Sequence, residues 1–398
     1  MRVSIGTQRG VTLIELMVAM TLGVLILGSS LAMFSANKQS FRFSKALARV
    51  QDNGRFAIQS MARDIRMAGY IGCSSRQQVT IDTTPAAIPA ANLNLANALF
   101  GFDNGLTVPA GPSWWGGTAL TDHLRQTLTR CEALAGATIV ADATCQISDA
   151  LSVWRGSETA IDLAQASVAG TNGTLVVTDA NFDTLDPPIA TGGNPRTLTI
   201  ANTLTAAGED LVLVTDCSNA DVFRVGVVTT DGTLRTLNYF TEVQNSYPAG
   251  ALVMPLVMAT YFVAHDGADE DGDGNVDPVP ALYRIGLLDT VANNEPVAIP
   301  IAKGVEMMNV QYGVDTQGDA FADLYVATAA EVADWSRVVS VRIAILIKSK
   351  DDYITDGPVP VTFVEGTVVN DPTVPGAITD SRLRLVFSTT VGLRNRVP

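Results

Sequence analysis

Residues 10–34 read Gly10-Val11-Thr12-Leu13-Ile14-Glu15-Leu16-Met17-Val18-Ala19-Met20, then Thr21-Leu22-Gly23-Val24-Leu25-Ile26-Leu27-Gly28-Ser29-Ser30-Leu31-Ala32-Met33-Phe34. From Val11 to Phe34 the single charged side chain is Glu15. At about 1.5 Å per residue this run makes a helix of about 36 Å, enough to cross a bilayer with some tilt. A carboxylate this early in an apolar segment is costly in lipid, so it requires a partner.

Beyond Phe34 the periodicity continues. Leu47, Val50, Ala57, Ile58, Met61, Ile65 and Ala68 recur at spacings of three and four, one apolar stripe on a helix. Gly54 weakens that helix by about 1 kcal/mol relative to alanine and is expected to mark a bend. Gly69 is placed to end it as a C-cap. One rod over residues 11–68 is about 87 Å long, apolar all round over 11–34 and amphipathic over 35–69, where core packing against a domain explains the stripe.

The 398 residues supply the mass of two or three domains, or of one domain with large insertions. Hydrophobic residues at 47% and charged ones at 17% fit a globular protein with one membrane segment. Residues 11–70 carry seven basic side chains against Glu15, Asp52 and Asp64, a net +4. With Arg2 and Arg9 counted as well, the total of −14 leaves −20 for residues 71–398. So acidic a body repels nucleic acid, which demands a basic footprint.

Four cysteines, Cys73, Cys131, Cys145 and Cys217, all follow the apolar run, and no pair has the Cys-x-x-Cys spacing of a metal site. An even count beyond a membrane segment reads as two disulfides in an oxidising periplasm. Three pairings are possible. We favour Cys131–Cys145, which closes a short loop, with Cys73–Cys217 tying the helix end to the sheet. Basic residues flank both ends of the span, so charge does not set its orientation.

Residues 74–130 and 156–206 are rich in Ala, Thr, Asn, Gly and Pro and read as long surface insertions with short strands. Trp114-Trp115 in the first of them suits a small local core or an exposed protein contact. Strand signals then dominate, at Leu211–Thr215, Val222–Thr229, Leu234–Phe240, Tyr261–Ala264, Leu282–Ile285, Val305–Gly313, Val338–Ile347, Val359–Phe363 and Leu383–Thr390. Thr328-Ala329-Ala330-Glu331 is a capping box expected to open a short helix that carries Trp335. A long helix followed by an antiparallel sheet is an α+β fold, with residues 70–398 as one β-rich periplasmic domain.

Gly10 followed by Val11-Thr12-Leu13-Ile14-Glu15 resembles the type III signal of type IV pilins and pseudopilins. The resemblance implies a leader of residues 1–10, cut after Gly10 by a prepilin peptidase, and methylation of the new amino terminus at Val11. Major pilins usually carry phenylalanine there, and minor pilins vary. It further implies that Glu15 meets the free amine of a neighbouring subunit in a filament. A secretory signal cut near Gly28-Ser29-Ser30 leaves the glutamate unexplained. Asn53-Gly54-Arg55-Phe56-Ala57 and Ala68-Gly69-Tyr70-Ile71-Gly72-Cys73 look like the PilW family of minor pilins. Asp216-Cys217-Ser218-Asn219-Ala220-Asp221-Val222-Phe223, Tyr312-Gly313-Val314-Asp315 and Leu393-Arg394-Asn395-Arg396 agree, in that order along the chain.

One stretch carries metal chemistry: Asp269-Glu270-Asp271-Gly272-Asp273-Gly274-Asn275-Val276-Asp277. Asp269, Asp271, Asp273 and Asp277 fall at positions 1, 3, 5 and 9 of an EF-hand-type loop, with glycine at 6. Calcium takes six to eight hard oxygens, and the Asn275 carbonyl supplies position 7. Pro280 replaces the bidentate glutamate at position 12, which predicts weak affinity, on the order of 10⁻⁴–10⁻³ M. The alternative is an acidic hairpin tip kept soluble by its charge. Asp315-Thr316-Gln317-Gly318-Asp319-Ala320-Phe321-Ala322-Asp323 is a degenerate echo without the glycine and reads better as a turn. His123 and His265 lack a His-Glu-x-x-His context, His265 reads as a strand-end residue, and no catalytic residue stands out.

By this resemblance the protein is no enzyme but a minor pilin. It starts as a single-pass inner-membrane protein and moves to a pilus tip, with other minor pilins, the major pilin and a PilY-type tip protein as partners. The alternatives are an adhesin-like binding module displayed on a pilus, a type II secretion minor pseudopilin, and a membrane-tethered periplasmic enzyme.

Overall fold

The computed structural model describes residues 12–72, 80–82, 98–102, 148–170, 174–178, 185, 210–231, 234–239, 243–265, 280–286, 299–364, 368–373 and 379–396. Thr12 opens the helix α1 (Leu13–Arg66, 54 residues). Its hydroxyl accepts from the Glu15 N–H at 3.3 Å, and Glu15 Oε2 accepts from the Thr12 N–H at 2.9 Å, a reciprocal capping box. At about 1.5 Å per residue α1 is about 81 Å long. It stops short of the expected end: Met67 is the C-cap, and Gly69, at φ 71°, lies in the turn beyond and donates to the Trp154 carbonyl at 2.8 Å. The Asn395 amide donates to the Met67 and Ala68 carbonyls at 3.3 and 3.2 Å, satisfying groups that a helix end leaves open.

Strands follow in chain order. They are β1 (Thr80–Asp82), β2 (Leu99–Phe102), β3 (Ala150–Gly156), β4 (Ile161–Asp162), β5 (Thr174–Thr178) and β6 (Asp210–Thr215). Next come β7 (Asn219–Asp231), β8 (Leu234–Tyr239), β9 (Leu252–His265), β10 (Pro280–Gly286), β11 (Ile299–Lys303) and β12 (Val305–Val314). The last are β13 (Leu324–Val326), β14 (Val338–Lys348), β15 (Val361–Thr362), β16 (Val368–Val369) and β17 (Arg384–Gly392). An antiparallel sheet in the order β13-β12-β14-β17 lies against α1, and a larger sheet runs β11-β10-β9-β6-β7-β8-β5. The fold is α+β.

Strand β9 joins two halves of the larger sheet. Its first residues, Leu252–Pro255, pair with β6, and from Leu256 onward it pairs with β3 and then with β10. Pro255 sits at the change of partner, and its carbonyl accepts from the Ser157 N–H at 2.9 Å. A proline has no N–H for a ladder, so the switch point is where a strand tolerates one. Along β6, β7 and β9 successive side chains go to two different cores. Leu211, Leu213, Val222 and Met254 face the α1 side, and Val212, Val214, Phe223 and Val253 face a second core lined by Leu163, Leu175, Leu237 and Tyr247. Residues 156–206, read as surface insertion, thus contribute β4, β5 and buried side chains to this second core. Thr328 and Glu331 bracket a single 3-10 turn (Ala329–Glu331), and Trp335 opens a separate one (Trp335–Arg337).

Helix α1 buries Ala46, Val50, Gly54, Ala57, Met61, Ala62, Asp64 and Ile65. It runs unbroken through Gly54, whose role is contact. A Cβ there would stand 2.6 Å from Cδ2 and Cζ of Phe387 on β17, inside van der Waals distance. Gly54→Ala is expected to destabilise the fold by about 1–3 kcal/mol through overpacking. Adding Phe387→Leu should restore most of the loss. Denaturant melts of the two variants test this, and an unchanged midpoint for Gly54→Ala would disprove the close approach.

Asp64 is the one buried charge on α1. It accepts from the Tyr261 hydroxyl at 2.7 Å and from Arg155 Nε at 3.3 Å, and Arg284 Nε stands 3.8 Å away. Burial, and then the Asp64 charge, push the Tyr261 phenol above its ordinary value. One carboxylate thereby fastens the helix to β9, β3 and β10.

Candidate functional site

None of the first 33 residues of α1 is buried among the described residues. Ala46 is its first buried position, and sixteen large apolar side chains between Leu13 and Phe43 are exposed, Leu13 at 76% and Phe34 at 70%. Soluble monomers rarely expose apolar patches beyond a few hundred Å². Leu13–Arg66 is also long and apolar enough to cross a membrane. The sequence therefore builds a surface that needs lipid or other helices around it.

Glu15 stands at the far end of this surface. Its Oε2 accepts from both the N–H and the hydroxyl of Thr12, each at 2.9 Å. Thr12 thus supplies this carboxylate with two donors from within the chain, but no counter-charge. Two donors from the same turn reduce the cost of carrying the group in an apolar medium.

The remaining site residues divide by position. Gly10, Val11, Cys73, Cys131 and Cys145, the Trp114-Trp115 pair and His123 lie outside the described residues. So do Asp269, Asp271, Asp273, Asn275 and Asp277. Their loop connects β9 to β10, which pair at His265 and Pro280, so His265 is indeed the last residue of a strand. Cys217 is disulfide-bonded, to a partner outside the described residues. It sits at φ 73° in a turn where Asp216 Oδ1 accepts from the Ser218 and Asn219 amides at 2.9 and 2.7 Å.

The echo at 315–323 is a turn. Asp315 accepts from the Gln317, Gly318 and Ala320 amides, and Asp323 from the Thr316 and Gln317 amides and the Thr316 hydroxyl. The Gly318 amide foremost holds the Asp315 carboxyl below its usual range, and the Thr316 hydroxyl does the same for Asp323. Donors from the loop itself therefore occupy these oxygens. Among the described residues no group of three or more His, Cys, Asp or Glu is placed to hold a metal ion.

The phrases that carry the family resemblance have packing roles. Gly54 meets Phe387, Asn395 caps α1, and Tyr312 packs edge-on to Trp335 with ring centres 5.0 Å apart. Asp64 was legible only as one more helix charge. Its three partners come from strands up to 220 residues away, so no local pattern shows the latch.

The family model described as Type IV Pilus-assembly protein W (PilW) matches residues 260–395, from the second half of β9 through β17. The prokaryotic N-terminal methylation motif matches residues 6–31, across the start of α1. No curated protein is significantly similar to the chain. Among solved structures, the type IV-like pilin TTHA1219 from Thermus thermophilus is similar at 17% identity over 48% of this chain and 84% of its own. Its TM-score of 0.19 is too low to bear on the fold. With a methylation motif at the head of an exposed apolar helix and the PilW match on the strands that pack its other half, the chain is similar to type IV pilus-assembly protein W over residues 260–395 and carries a pilin-type amino terminus over residues 6–31.

Proposed function

We propose that this protein is a minor pilin of the PilW family that primes pilus assembly in a tip complex with other minor pilins and a PilY-type tip protein. The observation that carries the reading is the exposed apolar half of α1 with Glu15 capped within its own first turn. Before assembly that half spans the inner membrane, with the β-rich domain in the periplasm. A prepilin peptidase cuts after Gly10, and Val11 becomes the methylated terminus. On assembly the Glu15 carboxylate is handed from Thr12 to the ammonium of a neighbouring subunit, which sets axial register. The protein has no chemistry of its own. Mass spectrometry of the native protein tests the processing step: a chain beginning at methylated Val11 is expected, and a retained leader in piliated cells would refute it.

The Cys73–Cys217 pairing is supported by Gly72, where an added Cβ would lie 3.5 Å from Cγ2 of Thr215, two residues from Cys217. The remaining pair is then Cys131–Cys145. Calcium held by Asp269, Asp271, Asp273, Asn275 and Asp277 would stiffen the β9–β10 connection. Its carboxylate-rich donor set suits that cation. Millimolar calcium should raise the melting temperature of the unmutated protein and leave Asp273→Ala unmoved. No rise in the unmutated protein removes the calcium role.

A further inference from the structure

Helix α1 enters the domain beside a cleft of about 170 Å³ whose lining includes Lys45, Arg49, Lys303, Lys348, Lys350 and Arg382. Among the described residues the one carboxylate in that lining is Asp351. The whole chain has five lysines, and four of them meet here, although residues 71–398 carry a net −20. Gly304, at φ 89°, lets one wall approach closely, with 2.6 Å between a would-be Cβ and the Lys348 carbonyl. Behind the lining, buried Glu306 bonds Arg384 Nε at 2.7 Å and Lys348 Nζ at 3.3 Å. Asp380 accepts from Arg384 and faces Arg382 Nε at 3.6 Å. Neither of these two carboxylates is in the lining, where the described residues set six cationic side chains against Asp351.

The position of the cleft selects its ligand. From Leu13 to Lys45 the helix rises about 48 Å, close to the ~40–45 Å of a bilayer with its headgroups. With the exposed half of α1 in a membrane, Lys45 therefore stands at the headgroup boundary. Gln39, about 9 Å nearer the membrane along the helix, donates to the carbonyls of Tyr353 and Ile354 at 3.4 and 3.3 Å. Tyr353 is 74% exposed there, and tyrosine is enriched at membrane interfaces. The volume suits a phosphate and its glycerol better than a whole drug-sized molecule, which needs about 300 Å³ or more.

We propose that this cleft binds the phosphate of an anionic glycerophospholipid in the leaflet from which α1 emerges, fixing the height of the domain above the membrane before the chain joins a filament. The proposal rests on the membrane-spanning reading of α1. Lysine ammonium groups act on such a phosphate as point charges, and the exposed ones, Lys45, Lys303 and Lys350, make the contact with least disturbance to the buried Glu306 pair.

The full chain is to be reconstituted into phosphatidylcholine bilayers with and without phosphatidylglycerol, then extracted in mild detergent for native mass spectrometry of retained lipid. Phosphatidylglycerol should be retained in preference to phosphatidylcholine. Lys45→Gln with Lys350→Gln should reduce that retention roughly thirtyfold, at the usual weight of basic groups facing anionic lipid. Arg235→Gln with Arg342→Gln, the same charge change elsewhere, should leave it unaltered. Inorganic phosphate and glycerol 3-phosphate should not displace the lipid. Equal retention of the two lipids, or an unaffected lysine variant, overturns the proposal, and displacement by the soluble phosphates overturns it in favour of a free-anion site. Unchanged lipid retention with loss of the lysine variant from filaments assigns the cleft instead to an acidic segment of a neighbouring subunit. A chain that enters no bilayer overturns the membrane reading and the proposal with it. One that inserts but ignores lipid charge overturns the proposal alone.

Discussion

Glu15→Leu is expected to leave the protein in the membrane and to remove it from filaments. Leucine has no desolvation cost in lipid, so insertion is at least as favourable as with the carboxylate. What the cell-bound chain loses is its capping box, worth about 1 kcal/mol at a helix start. On the proposed handover the loss in a filament is larger, because a neighbour's ammonium would be left in an apolar core without its counter-charge. Removing one partner of a buried pair costs about 3–5 kcal/mol, so incorporation should fall by about two to four orders of magnitude. Immunoblots of sheared pili against whole membranes read both quantities. Glu15→Gln separates the two roles, since the amide oxygen still accepts from Thr12 while the charge is gone. Normal recovery of Glu15→Leu in sheared pili would exclude the handover and return this segment to a plain anchor.

The second large effect is expected at Asp64. Truncation to alanine leaves the Tyr261 hydroxyl and the Arg155 guanidinium, whose side chain is only 13% exposed, without their shared acceptor. An uncompensated buried charge of this kind costs about 3–5 kcal/mol, a large share of the 5–15 kcal/mol that holds a domain folded. Denaturant melts of the detergent-solubilised chain measure it. Asp64→Leu with Arg155→Met should recover most of the loss, since well-packed apolar replacements for a buried pair are often neutral. A midpoint for Asp64→Ala within about 1 kcal/mol of the unmutated protein would show that the latch contributes little.

How much of this was legible in the sequence depends on how locally each feature is encoded. Helix α1 could be read because one charge in a long apolar run and a stripe at spacings of three and four are properties of adjacent residues. The strands β12, β14 and β17 announced themselves through β-branched runs, and their ends fall within one or two residues of expectation. The first half of β9 was hidden by Pro255, which forbids a strand interior by the ordinary rule and is allowed here by the change of partner. Ile161–Leu163 and Thr174–Thr178 were legible only as short strands of a surface insertion because alanine, threonine and glycine surround them, and only the second core shows that Ile161, Leu163, Leu175 and Val177 are buried. Glu15 was found by its context. Asp64 and the lysine cleft were not, because residues 45, 303, 348 and 350 become neighbours only once the chain is folded.

The partition formed by β6, β7 and β9 has packing on both sides, with Leu213 turned one way and Val214 the other. Neither compartment can loosen without stripping the lining of its neighbour. The outer lobe is for that reason no detachable ornament: a fault introduced on its side reaches, through a single thickness of backbone, the wall that braces the anchor.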